Sequence, residues 1–268
     1  MSNTSLSLSF SSNWTHPFQL EYIKLRSCKV GPHFSKWLQN QKSYKSLDIS
    51  NAGISDILLS WFWSLLSHQD PRSISIDLSN NRIRGTIPNS RFEFPSSSFS
   101  LVNLRWNRLE SLVPSFLSIA IALDLSNNKL SGLVSFMCPK TLNKVSHLAF
   151  LDLSSNNLYK QLPNCWTRFE NLGFLDLSDN ALFGKIPTTT DYLPSIQTLK
   201  LNKNGFVGEL PSSLKNFTTL SVFDVGENNL SGLIPEWLGV GFTQLWWNAS
   251  IEVIRTEDKD SQIWKFNP

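Results

Sequence analysis

Six aspartates share one context along the chain. Asp48, Asp77, Asp124, Asp152, Asp176 and Asp224 each lie between two apolar residues, as in Leu151-Asp152-Leu153, and all but Asp224 have Ser two residues on. Carboxylates recurring in a fixed frame suggest a column, and stacked carboxylates are one way to hold a divalent metal or to set up acid–base chemistry. The opposing reading is stronger. On strands about 4.8 Å apart, solvated like charges repel by only about 1 kcal/mol, so Asp between Leu and Leu is tolerable filler. Neither metal binding nor catalysis is expected from the column. The histidines, His16, His33, His68 and His147, have no metal-ligand spacing. No Ser/His/Asp set, phosphate-binding Gly loop or kinase signature stands out. The sequence predicts no cofactor and no enzyme.

Departures from the filler are better candidates, because a scaffold has no need of them. In the frame that elsewhere reads Asp-Leu-Ser, one copy reads Asn103-Leu104-Arg105-Trp106 and another Lys200-Leu201-Asn202-Lys203. An early copy presents Glu21, Tyr22, Lys24 and Arg26. A solvent-facing Trp beside an Arg is hot-spot chemistry, combining a large apolar area with a directional donor. The structural alternative is a Trp106 that lies over a neighbouring turn and shields it. Four strand spacings separate Trp106 from Lys203, about 19 Å, so a protein ligand spans both and one short side chain does not.

These frames belong to a repeat. The 268 residues include 40 Leu, 40 Ser and 24 Asn, with only 17% charged and a net charge of +3. No basic cluster speaks for nucleic acid, and 41% apolar content excludes disorder. Aligned on Leu-Asp-Leu-Ser, the chain follows LxxLxLxxNxLxGxIP, clearest at Leu172 to Pro187 and Leu220 to Pro235. The Asn position falls at Asn81, Asn107, Asn128, Asn156, Asn180, Asn204 and Asn228, with Cys28 and Ala52 in two weaker copies. A period near 24 residues means a solenoid. Leu at template positions 4 and 6 alternates with polar residues, which specifies a short strand with one buried face. One strand per coil forces parallel stacking. The Asn then turns inward, where its amide bonds backbone groups that lack sheet partners. Cys28 substitutes weakly and Ala52 not at all, so the Ala52 turn is expected to be looser. Gly-x-Ile-Pro carries the chain back, extended, along the far side.

This is a leucine-rich repeat, and its Leu-x-Gly-x-Ile-Pro half resembles the plant extracellular subclass. Phe18 to Cys28, Lys36-Trp37-Leu38 and Trp61-Phe62-Trp63 look like plant receptor-like proteins, above all the group named for recognising ethylene-inducing xylanase. The resemblance covers roughly residues 1 to 245. It implies a right-handed α/β-type solenoid with a parallel concave β-sheet and an irregular or short-helical convex side. It also implies a non-catalytic ectodomain at the plasma membrane that binds an extracellular protein or peptide and signals in plant defence through a partner kinase. The rival readings are a secreted inhibitor of microbial wall-degrading enzymes, as related plant repeat proteins are, and a truncated product without a function of its own.

The ends depart from the family pattern. Met1 falls inside a repeat, and Trp246 to Pro268 fits none, so the expectation is an ectodomain piece, residues 1–245, with a non-repeat tail, 246–268. Bare coil ends are expected to promote aggregation. No signal peptide is visible, and the longest apolar run, Ile57 to Leu66, is half the roughly 20 residues of a membrane span. Acceptor sequons for N-glycans occur at Asn3, Asn13, Asn216, Asn229 and Asn248. Of the three cysteines, Cys28 is expected as a buried thiol. Cys138 and Cys165 occupy nearly equivalent places on consecutive coils, close enough to bridge in an oxidising compartment. Trp37, Trp61, Trp63, Trp166 and Trp237 recur after the Pro position and are expected to bury against the sheet. The Asn column gives the first test: Asn156→Leu is expected to cost about 1–3 kcal/mol by orphaning buried backbone groups, and an unchanged melting temperature refutes that role.

Overall fold

Alternation of apolar and polar residues sets one strand per coil. The computed structural model describes residues 6–8, 18–57, 61–63, 74–87, 99–132, 146–188, 193–232, 250–255 and 262–267. The chain divides into two compact units, Met1–Leu130 and Ser131–Pro268. In the first, strands Tyr22–Lys24, Ser46–Asp48, Ile74–Asp77, Phe99–Asn103 and Ala122–Asp124 form a parallel ladder. In the second, Phe150–Asp152, Phe174–Asp176, Thr198–Lys200 and Val222–Asp224 do the same, with Leu151, Leu175, Leu199 and Phe223 in register. The inward residues on either side of every Asp but Asp224, such as Leu123 and Leu125 or Leu175 and Leu177, are at most 1% exposed. Each unit is a parallel-strand solenoid, and its core is this stack.

Past the Asn corner a second parallel ladder follows. Arg84–Thr86 pairs with Arg108–Ser111 in the first unit. Asn157–Lys160, Ala181–Gly184, Gly205–Gly208 and Asn229–Leu230 pair in order in the second. This ladder is sheared, so the third residue after one Asn lies beside the first residue after the next: Tyr159 opposite Ala181, Phe183 opposite Gly205, Val207 opposite Asn229. The Gly of Leu-x-Gly-x-Ile-Pro ends these strands because its φ there is positive, 86° at Gly184 and 83° at Gly208, where a Cβ is penalised. The coils close through short 3-10 turns, Lys36–Asn40, Ser115–Ile119, Trp166–Arg168 and Ser212–Asn216. Trp37, Trp63 and Trp166 are buried beneath them and Trp61 half-buried, with edge-on ring contacts such as Trp63–Phe116 at 5.4 Å between centroids. Trp237 lies outside the described residues. Ser250–Arg255 and Gln262–Asn267 form a separate antiparallel pair, unlike the parallel coils.

The Asn column holds the corners. Asn107 Nδ2 donates to the carbonyls of Leu78, Leu104 and Arg105, and its Oδ1 accepts the Ile83 N–H, all within 3.3 Å. Asn128, Asn180, Asn204 and Asn228 repeat the pattern residue for residue. Each amide thus ties its own corner to the coil before it.

The Ala52 coil is not looser, contrary to the expectation. Its backbone carbonyl accepts both the Val30 and the Gly31 N–H at 3.0 Å, replacing the missing side-chain acceptor. Asn81 compensates on the other side by accepting the Ala52 and Ile54 N–H groups together. The arrangement needs a bare backbone at Gly31, where a Cβ would stand 2.0 Å from the Gly53 oxygen. Asp56 adds a further tie: its carboxylate accepts the Phe34 N–H at 3.1 Å and the Ile57 N–H at 2.8 Å, with His33 Nδ1 at 3.4 Å. Burial alone raises its pKa, but those two hydrogen bonds and His33 outweigh it, and the net value lies below the usual 3.8.

Two predictions follow from these ties. Gly31→Ala is expected to destabilise by at least about 2 kcal/mol, because backbone stands in the way. Gly173→Ala, whose Cβ would meet nothing nearer than 3.6 Å, stays within about 1 kcal/mol of the parent in denaturant titration. For Asp56 the folded pKa is the lower one, so its contribution is complete above the ordinary value and is lost as pH falls through the folded one. The melting temperature of Asp56→Asn is expected to fall less steeply than that of the parent below about pH 4. Superimposable acid limbs contradict the tie.

Candidate functional site

The solvent face of the strand ladders carries the candidate residues, and their environment separates structure from chemistry. The Asp column is a capping device. Oδ1 of Asp48, Asp124, Asp152 and Asp176 accepts both the N–H and the hydroxyl of the Ser two residues on, the hydroxyls at 2.6–2.7 Å. Asp77 and Asp224 accept the N–H of Ser79 and Gly226. These bonds hold the strand exit in a turn. Burial raises the pKa of Asp224, with Asp176 and Glu227 adding to the rise and the Gly226 N–H and Lys200 opposing it.

One of the departures does the column's work, and two others are ion-paired. Asn103 Oδ1 accepts the Arg105 N–H at 3.2 Å, and its Nδ2 donates to Asp77 at 3.2 Å. Lys200 Nζ lies 3.7 Å from Asp176, and Lys203 Nζ lies 3.7 Å from Glu227. Asn202 is half-buried with Oδ1 unbonded. In the second unit, then, both lysines are neutralised on the face itself. In the first coil Glu21 is taken by Lys45 at 2.7 Å, and that ammonium also lies 5.9 Å from the Tyr22 ring centroid. Tyr22 remains 60% exposed, and Lys24 and Arg26 are exposed.

Trp106 differs from all of these. Arg105 beside it is exposed and, like Lys24 and Arg26, has no ion-pair partner among the described residues. Trp106 is 52% exposed, which does not fit a side chain lying shielded over the next turn. Its backbone is the more telling feature. The residue before each inward Asn, or before its substitute, has positive φ: Ser27, Asn51, Asn80, Asn127, Ser155 and Asp179 occupy the same place at 51–59°, as do the longer Lys203 at 54° and Glu227 at 50°. Asn, Asp and Ser suit that geometry through local hydrogen bonding, whereas a large side chain is penalised there. Trp106 sits at φ 54°.

The sequence did not single out Arg82, Arg84 and Arg108, which are exposed on or just before the neighbouring outer strands. Their signal was present as Asn81-Arg82-Ile83-Arg84 and Asn107-Arg108, but the sheared pairing that brings them together is not written in the repeat. The exposed row Tyr159, Phe183 and Val207 was missed for the same reason. Among the sequons, Asn216 and Asn229 are exposed, while Asn3, Asn13 and Asn248 lie outside the described residues. Cys28 is a buried thiol outside any disulfide and Cys165 is disulfide-bonded; Cys138, its expected partner, lies outside the described residues.

Comparison with known proteins places this geometry. A family model described as Leucine Rich Repeat matches residues 74–92, 195–217 and 219–240. The tomato (Solanum lycopersicum) receptor-like protein EIX2 is 37% identical over 161 residues, 60% of this chain and 15% of that protein. Tomato receptor-like protein EIX1 is 43% identical over 114 residues, 42% of this chain and 10% of that protein. The match therefore spans a small part of either relative. Among solved structures, the Arabidopsis receptor kinase HAESA in complex with the peptide hormone IDA and the co-receptor SERK1 matches with a TM-score of 0.70 and 28% identity, over 90% of this chain and 39% of that one. A TDR receptor structure shares the fold at a TM-score of 0.61 and 22% identity, over 78% of this chain and 39% of that one. No helix among the described residues is long and apolar enough to cross a membrane. Repeat, corner and ladder agree with these likenesses: the chain carries leucine-rich repeats and is similar to plant receptor-like proteins.

Proposed function

We propose that the strand face around Arg105 and Trp106 recognises an extracellular protein or peptide, and that the chain is an ectodomain segment of a plant cell-surface receptor-like protein in defence signalling. Trp106 carries the reading: a half-exposed indole held in a backbone conformation that the same column elsewhere gives mainly to Asn, Ser and Asp. A scaffold gains nothing from that exchange, whereas an interface gains a rigid aromatic anchor with an arginine beside it. The likeness to EIX1, EIX2 and the peptide-bound HAESA ectodomain supports the same reading. No residue of the face needs to do chemistry, since recognition requires only the rigid surface. A co-receptor kinase would be engaged through the full-length protein, with this segment on the extracellular side of the plasma membrane.

Trp106→Asn separates recognition from folding. Relief of the left-handed Trp is expected to leave the variant as stable as the parent, or more stable by about 0.5–1 kcal/mol. Peptides selected on the parent from a random phage-displayed library are expected to bind the variant at least about tenfold more weakly. Equal binding, or a variant markedly less stable than the parent, overturns the assignment.

A further inference from the structure

The recognition face continues around the Asn107 corner onto the outer strands. Arg84 and Arg108 are direct partners in the parallel pairing of Arg84–Thr86 with Arg108–Ser111. Their backbones are about 4.8 Å apart, both side chains are exposed, and like charges so placed destabilise a sheet. The equivalent place one coil later holds Glu110 opposite Lys129, whose side chains meet at 3.7 Å. One geometry thus carries an attractive pair in one coil and a repulsive pair in the coil before it.

Arg82 precedes Arg84 on the same exposed side of its strand, with Ile83 buried between them. Arg105 and Trp106 lie within three residues of Arg108, on the other arm of the corner that Asn107 closes. None of the four guanidinium groups has an ion-pair partner among the described residues. The nearby carboxylates are engaged: Asp77 with Ser79 and Asn103, Glu110 with Lys129, Asp124 with Ser126. Four arginines on two successive coils, around an exposed indole, form a surface that lacks its counter-charge among the described residues.

We infer that Arg82, Arg84, Arg105 and Arg108 dock an acidic peptide segment of the ligand, with Trp106 receiving an apolar side chain from that segment. Guanidinium groups take carboxylates two bonds at a time, and carboxylates inserted along the row relieve the Arg84–Arg108 repulsion as they bind. The indole selects a peptide over a bare polyanion, because it offers apolar area to a side chain. This inference rests on the Asn107 coil being a recognition face and adds the chemistry of what it recognises.

The test uses the full chain and a short fluorescein-labelled peptide alternating glutamate with leucine, with a lysine–leucine peptide and an oligogalacturonate as controls. The acidic peptide is expected to bind the parent, more weakly as salt rises, while the lysine peptide does not bind. Arg84→Glu is the decisive variant, because it gives Arg108 an opposite charge across the strands: its melting temperature is expected to match or exceed that of the parent while acidic-peptide affinity drops about tenfold or more. Unchanged affinity in Arg84→Glu, with loss in Trp106→Asn, overturns the acidic assignment and leaves the recognition face standing. Unchanged affinity in Trp106→Asn, with loss in Arg84→Glu or with oligogalacturonate bound as tightly as the peptide, makes the row a site for bare polyanions and overturns the peptide. Absence of acidic-peptide binding to the parent overturns the inference outright.

Discussion

A primary amide facing inward at every corner is the constraint from which the rest follows. Parallel strands that end after three to five residues leave carbonyls and N–H groups with no sheet partner, buried where water cannot reach them, at a cost of a few kcal/mol if left open. Asn offers two donors and an acceptor on a short stem. In five coils its amide meets three carbonyls and one N–H at almost unchanged distances. Because the amide reaches the preceding coil as well as its own, it fixes the step between coils along with the corner. The exception shows which element is essential. At Ala52 the amide is absent, yet a carbonyl acceptor still stands in its place, supplied by backbone, and close approach of Gly31 to Gly53 makes that geometry possible. Hydrogen-bond completion is what the fold requires, and Asn is the usual means to it.

Once the corner is fixed, neighbouring positions acquire duties of their own. The residue before the Asn must turn left-handed, the Asp three residues before that residue must cap the strand exit, and the Gly four residues after the Asn must leave the outer strand at positive φ. Ser111 and Lys160 take the Gly place in their coils at 99° and 96°, so the backbone dictates the angle and the side chain tolerates it. Positions that look free on a diagram of the repeat are therefore constrained by backbone conformation even where no side chain touches them. This is what gives Trp106 its meaning.

Most of the fold could be read in the sequence because its signals are local and repeated. Leu at two fixed positions names the buried strand face, and Asn names the corner. The Asp column could be read as structural, but its mechanism could not, since the Ser hydroxyl that four of the six accept is visible only once the turn is built. Lys200 and Lys203 read as a free basic pair because their partners, Asp176 and Glu227, lie 24 residues away on neighbouring coils. The outer ladder was invisible for a subtler reason. Its strands are short, end at or near a residue of positive φ and lack β-branched runs, and their register is displaced by two residues from the register of the repeat. A comparison that places equivalent template positions side by side sets Arg84 beside Glu110 and finds a salt bridge, where the structure sets Arg84 beside Arg108.

That displacement bears on how a solenoid face is to be read. Stability alone would favour complementary charges across the sheared pairs, as at Glu110 and Lys129, and small polar residues at the left-handed position, as at Asn80 and Asn127. Around Asn107 both preferences are broken within a few residues, by independent means: one through backbone conformation at Trp106, the other through electrostatics at Arg84 and Arg108. Either alone is within the tolerance of a fold stabilised by a long buried stack. Together, on one exposed corner and with the corner amide itself intact, they concentrate unfavourable terms where solvent and other molecules have access. A fold that satisfies the backbone groups of its corners coil by coil carries such terms most economically at a surface that a partner completes.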